Sequence, residues 1–251
     1  MAKQKSIIKI EGTLGDMTFL KTKDGYIVRE KTSLSGNRMA SDPAFQRTRE
    51  NMSEFSRAAA AGKLLRSAIR PLLQQAKDHR VISRLLKEMM KVIQADVTSA
   101  RGKRNVIDGE AELLQGFNFN NAAPLDATIF MPYTATADRA AGTVSVQLPA
   151  YIPSSNIAAP TGATHYCIVS MGAAINFEGG SFETGTQDTG ILPINNTATA
   201  PVTLSNSLPP GSTHPFFGVL GIQFFQQVNG VTYPLKNGAH NALGIVHVSG
   251  A

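Results

Sequence analysis

The sequence predicts an α+β fold: an N-terminal β-meander with a hairpin, central amphipathic helices and a C-terminal antiparallel, immunoglobulin-like β-sandwich. Three observations carry this. Two short apolar-alternating runs meet at Asp24-Gly25, in "MTFLKTKDGYIVRE", and such a dipeptide readily supplies the positive φ angles of a tight hairpin turn. Between Phe45 and Val97 the apolar residues recur at helical spacing, which marks amphipathic helices. After Gly116 the pattern changes to short runs such as "GTVSVQLP", "THYCIVSM" and "FFGVLGIQFFQQV", separated by Gly, Pro and Asn. Evenly spaced strands without intervening helices indicate a sandwich.

In chain order, residues 1–40 read as a β-ribbon with strands at "IIKI", "MTFLKT" and "YIVRE", turning at Gly12, Gly15 and Asp24-Gly25. Residues 41–116 read as a helical region. Asp42-Pro43 starts its first helix, because the carboxylate caps free amides and Pro43 at the first position loses no donor. The apolar spacing places Phe45, Met52, Phe55, Leu65 and Ile69 on the face turned inward, with Pro71 ending or kinking the helix. A second helix follows Asp78 and turns Ile82, Leu85, Leu86, Met89, Ile93 and Val97 inward. "IDGEAELLQG" reads as a short helix capped by Asp108 and closed by Gly116. Residues 117–251 form the sandwich, in which Asn229-Gly230 marks a second tight hairpin.

Charge divides the chain into two chemically different parts. Residues 1–115 hold 22 Lys and Arg against 13 Asp and Glu, a net of +9, whereas residues 116–251 hold 2 against 5, a net of −3. So few charges over the last 136 residues leave a surface of Thr, Ser, Asn, Gly and small apolar groups, which repels neighbours poorly. No apolar run approaches the roughly 18 residues of a membrane helix, and the start "MAKQKSIIKIEG" lacks the apolar core of a secretory signal. Synthesis in a reducing cytoplasm is therefore expected, compatible with later incorporation into an assembled or released particle. The single cysteine, Cys167, excludes an internal disulfide and reads as a buried structural thiol.

No stretch reads as a catalytic motif, and no catalytic, metal or cofactor residues are assigned. His79, His165, His214, His240 and His247 show no short metal-binding spacing. His165 and Cys167 have no orienting partner, and "AAAAGKLL" lacks the leading Gly and the Ser or Thr of a phosphate loop. The concentrated basic cluster is "RGKR", where Arg101, Lys103 and Arg104 are candidate nucleic-acid contacts.

Three stretches, "IIKIEGTLGDMTFLKTKDGYIVRE", "DPAFQRTRENMSEF" and "FFQQVNGVTYPLKNGAHNALGIV", together resemble a family of uncharacterised bacterial proteins. The most specific shared element is Gly12-x-x-Gly15 with Phe19, Asp24-Gly25-Tyr26 and Arg29. The resemblance covers the whole chain and implies no activity. The function expected from the residues is a non-enzymatic structural subunit that assembles with copies of itself, or docks on a partner, as a component of a filament, tube, shell or appendage. Phe19, Leu20, Tyr26, Val28 and Arg29 of the ribbon are its expected interface, because an isolated ribbon needs something to pack against. The alternative is a nucleic-acid-binding protein using the basic helical region.

Overall fold

The computed structural model describes residues 2–22, 25–30, 36–76, 78–235 and 238–250. It is an α+β chain with helices and several antiparallel sheets, divided into two compact units, 1–49 and 50–251.

The first unit is built on a four-stranded sheet of β1 (Ala2–Lys3), β2 (Gly12–Leu14), β3 (Met17–Thr22) and β4 (Gly25–Glu30), in the order β1-β4-β3-β2. The hairpin of β3 and β4 lies where the sequence placed it. Thr22 pairs with Gly25, so Gly25, at φ +109°, opens β4 rather than standing in the turn. Lys23 and Asp24, between the paired residues, lie outside the described residues. The expected strand at 7–10 is absent. Residues 4–11 belong to no strand, and the Gln4 side chain clasps them into a loop, its Nε2 donating to Ile10 O and its Oε1 accepting from Ile10 N, both at 3.1 Å. A short helix, α1 (Gly36–Ser41), precedes the Asp42 cap, whose carboxylate accepts from Ala44 N as the sequence predicts and opens a 3-10 turn, Pro43–Phe45.

Helix α2 (Gln46–Ala68) continues into the second unit; Leu65, and Ile69 just beyond the helix, are buried as expected, but the earlier turns present a different face inward from the one expected. Its buried residues are Glu54, Ala58, Ala61, Gly62, Leu65 and Ala68, while Met52 and Phe55 are 57% and 53% exposed and Phe45 is half-buried. The cause is close packing. A Cβ on Gly62 would lie 3.7 Å from Leu85, so the small residues of α2 receive the large ones of α4, and a reading weighted by large apolar side chains selects the wrong stripe. Phe55→Ala should therefore change the unfolding free energy measured in urea by no more than about 0.5 kcal/mol, as at a surface site. Leu65→Ala, by contrast, should cost about 2–5 kcal/mol.

A short turn of helix, α3 (Arg70–Leu73), follows, then α4 (Val81–Gln94), which buries Val81, Leu85, Met89, Val92 and Ile93. Leu85, Met89 and Ile93 match the sequence reading, whereas Ile82 and Val97 are exposed. The expected short helix shrinks to a 3-10 turn, Ala111–Leu114, begun at Glu110 rather than capped by Asp108, whose carboxylate instead accepts from Asn105 Nδ2.

From residue 134 the chain forms two sheets. The smaller has the order β10-β6-β5, from β5 (Thr134–Asp138), β6 (Thr143–Leu148) and β10 (Val202–Ser207); α5 (Pro153–Asn156) follows β6 in sequence. The larger is centred on the pair β7 (His165–Asn176) and β11 (Phe216–Val228). β8 (Ser181–Asp188) and β9 (Leu192–Pro193) flank β7, and β12 (Val231–Pro234) and β13 (Ala242–Ser249) flank β11. β7 and β11 are apolar nearly throughout because both faces of the sheet are covered. Val169, Met171, Phe217 and Ile245 share a core with Leu65, Leu85 and Met89 of the helices. Ile168, Leu220 and Ile222 share another with Val146, Leu148 and Leu204 of the smaller sheet. Gly172 and Gly218 pair across β7 and β11, and a Cβ on either would lie within 3.1 Å of Val144, so paired glycines admit the second sheet at close range. The Asn229-Gly230 hairpin stands as expected, with φ +50° and +80° between paired Val228 and Val231.

Candidate assembly interface

The five interface residues predicted in the ribbon do not form one patch. Phe19 pairs with Val28 and Lys21 with Tyr26, so Phe19, Tyr26 and Val28 share one face of the sheet with Met17. Leu20, opposite Ile27, and Arg29, opposite Thr18, belong to the other face. Phe19, Leu20, Tyr26 and Val28 are half-buried and Arg29 is exposed. The ammonium groups of Lys9 and Lys21 lie 5.9 and 5.7 Å from the Tyr26 ring centroid, within cation–π range.

None of the described residues of 1–49 is buried. Its apolar side chains are instead conspicuously open: Ile7 is fully exposed, Ile8 is 74% and Leu14 70% exposed, and Ile10 and Met17 are about half exposed. The sequence places "IIKI" in a strand and does not mark these residues as an open surface.

The basic loop is tied down from within its own unit. Arg101 donates to Asn51 Oδ1 at 2.8 Å and lies 3.6 Å from Glu50. Arg104 approaches the buried Glu54 at 3.9 Å, and the same carboxylate accepts from Gly102 N at 2.8 Å. Arg57 donates to the carbonyls of Gly102 and Arg104. Below the loop, Asp96, with 0% exposure, accepts from Thr98 N, Thr98 Oγ1 and Ser99 N at 2.9–3.0 Å and from Asn105 N at 3.1 Å. Burial pushes its pKa up, but the hydrogen bonds from Ser99, Asn105 and Thr98 outweigh that and hold it well below the usual carboxylate range. Glu54 and Asp96 thus fold the loop, and among the described residues Lys103 is the member of the cluster with no carboxylate in ion-pair range.

Other chemistry-bearing groups serve the fold. Arg84 is held by Asp78 and by the carbonyls of Asn118 and Phe119, beside an open groove of about 610 Å³ that also meets Arg80, Lys87 and Asn120. Burial, with Asp188 second, pushes the Cys167 thiol up, away from the reactive thiolate, and the His165 ring bonds Thr164. Among the described residues no group of three His, Cys, Asp or Glu is placed to hold a metal, and no helix is long and apolar enough to cross a membrane. Compared with protein-family models, with curated proteins and with solved structures, the chain finds no match. Its functional reading rests on its own geometry.

Proposed function

We propose that the protein is a non-enzymatic structural subunit that assembles with copies of itself through its N-terminal unit. The observation that carries this is the absence of any buried residue among those described in 1–49, together with the open Ile7, Ile8, Ile10, Leu14 and Met17. A small sheet and its adjoining loop with apolar side chains this open gain stability by burying them against another surface. The charge division supports the same reading, since a +9 part and a −3 part favour head-to-tail contacts and open-ended assembly into a filament, tube, shell or appendage.

Nucleic-acid binding through residues 101–104 has less support, because Arg101 and Arg104 already face Glu50 and Glu54 and phosphate contacts need available cations. The finer reading of the two C-terminal sheets as an immunoglobulin-like sandwich rests on Val146, Leu148 and Leu204 of one sharing a core with Ile168, Leu220 and Ile222 of the other. The chain on this view comprises a ribbon at 1–40, helices at 41–116 and a sandwich at 117–251.

The test is sedimentation of the full chain and of a chain lacking residues 1–31 over a concentration series, with circular dichroism to confirm folding. The full chain should grow in mass with concentration and the shortened one should stay monomeric. Equal mass distributions for two folded species would sink the proposal.

A further inference from the structure

We propose that the outer edge of β8 in one copy receives residues 5–10 of another copy as an added strand. The inference rests on the assembly reading and names the receiving surface. β8 is eight residues long, exposed at every position except the half-buried Gly185, and hydrogen-bonded on one side to β7. Among the described residues no strand pairs with its other side. An exposed edge of that length is a template for another strand.

Charge selects the occupant. Three of the five acidic residues of 116–251 are Glu178, Glu183 and Asp188, in and just before β8, and no Lys or Arg occurs from 140 to 235. Residues 2–10 carry Lys3, Lys5 and Lys9 and no acid. The same segment holds "SIIKI", three β-branched residues suited to a strand, which in the single chain is a loop with its isoleucines in solvent. Local preference and observed conformation conflict there, and pairing with β8 resolves the conflict.

The alternation of side chains fits as well. As a strand, residues 5–10 place Ile8 and Ile10 on one face and Lys5, Ile7 and Lys9 on the other. β8 offers Phe182, Thr184 and Thr186 on one face and Glu183, Gly185 and Gln187 on the other. Beside Glu183 lies a pocket of about 400 Å³ walled by Ala174, Pro209 and His214. Ile8 and Ile10 cover Phe182, Ile7 enters the pocket, and Lys5 and Lys9 flank it within reach of Glu183.

Full-length variants test this by sedimentation velocity. Ile7→Asp, the pair Lys5→Glu with Lys9→Glu, and the pair Glu183→Lys with Asp188→Lys all change exposed residues, so circular dichroism should match the parent. Each should weaken self-association by on the order of tenfold or more. Mixing the lysine-reversed chain with the acid-reversed chain should restore an association that neither shows alone. Should loss of residues 1–31 abolish assembly while the β8 variants assemble like the parent, β8 is not the receptor and the assembly reading stands. A full chain that stays monomeric at every concentration overturns both.

Discussion

Replacing Gly142 by alanine should destabilise the protein by about 2–6 kcal/mol, summing a left-handed conformation that non-glycine residues resist and an overpacking collision, each worth about 1–3 kcal/mol. Gly142 ends the connection from β5 to β6 at φ +65°. Its carbonyl accepts from Leu208 N at 2.7 Å. A Cβ there would lie 2.4 Å from Leu208 O and 2.6 Å from Pro210 N, and both are backbone atoms that cannot swing away. The smaller sheet is thereby held to the segment leaving β10, and one methyl group forces them apart. Gly116→Ala separates the two causes, because Gly116 has φ +85° but nothing within 4 Å of a Cβ. That variant should lose only about 1–2 kcal/mol, the cost of the conformation alone. Thermal unfolding distinguishes them: at roughly 2–4 °C per kcal/mol for a chain of this size, Gly142→Ala should fall by roughly 5–20 °C and Gly116→Ala by a few degrees. Equal shifts would show that the contact with Leu208 and Pro210 is not rigid.

What the sequence disclosed follows from which signals are local. The Asn229-Gly230 hairpin, the Asp42 cap and the limits of β11 depend on residues adjacent in the chain, and the structure repeats them. The inward face of α2 depends on what packs against it. Ala58, Ala61 and Gly62 carry almost no hydrophobic weight, yet they are buried because Leu85 and Met89 fill the space above them. Met52 and Phe55 carry much weight and stay open. The strand β8 was missed for a related reason: "SFETGTQD" has one large apolar residue in eight, as an edge strand exposed on nearly every position has no need of more. At the candidate interface, the ribbon was legible from its hairpin, but its open isoleucines were not. "IIKI" satisfies every rule for a strand, and its loop conformation in the single chain arises from the Gln4 clasp, six residues away from Ile10. The disarming of the basic cluster was also hidden, since Glu50 and Glu54 lie some fifty residues before the arginines they face.

Asp96→Ala should release the loop from 97 to 105 and cost about 3–5 kcal/mol, since each hydrogen bond to a charged group contributes about 1.5–3 kcal/mol. Four donors converge on this carboxylate, from Thr98, Ser99 and Asn105, and alanine leaves those amides without an acceptor in a site closed to water. The same carboxylate gives the protein a specific acid sensitivity. Its folded pKa lies below the unfolded value of about 3.9, so the stability it contributes is complete above that value and is lost as pH falls through the folded pKa. Asp78 adds a contribution of the same sign: burial raises its pKa, but Arg80 N, the Arg84 guanidinium and Asn121 N lower it further. The parent should therefore lose stability progressively as pH falls below about 4. Asp96→Asn retains an acceptor oxygen for Thr98 and Ser99 but turns a donor toward Asn105 N. It should be less stable than the parent at pH 7, with a shallower acid slope, so that the two denaturation midpoints converge as pH falls. Parallel midpoints across that range would show that the Asp96 charge is not what holds the loop.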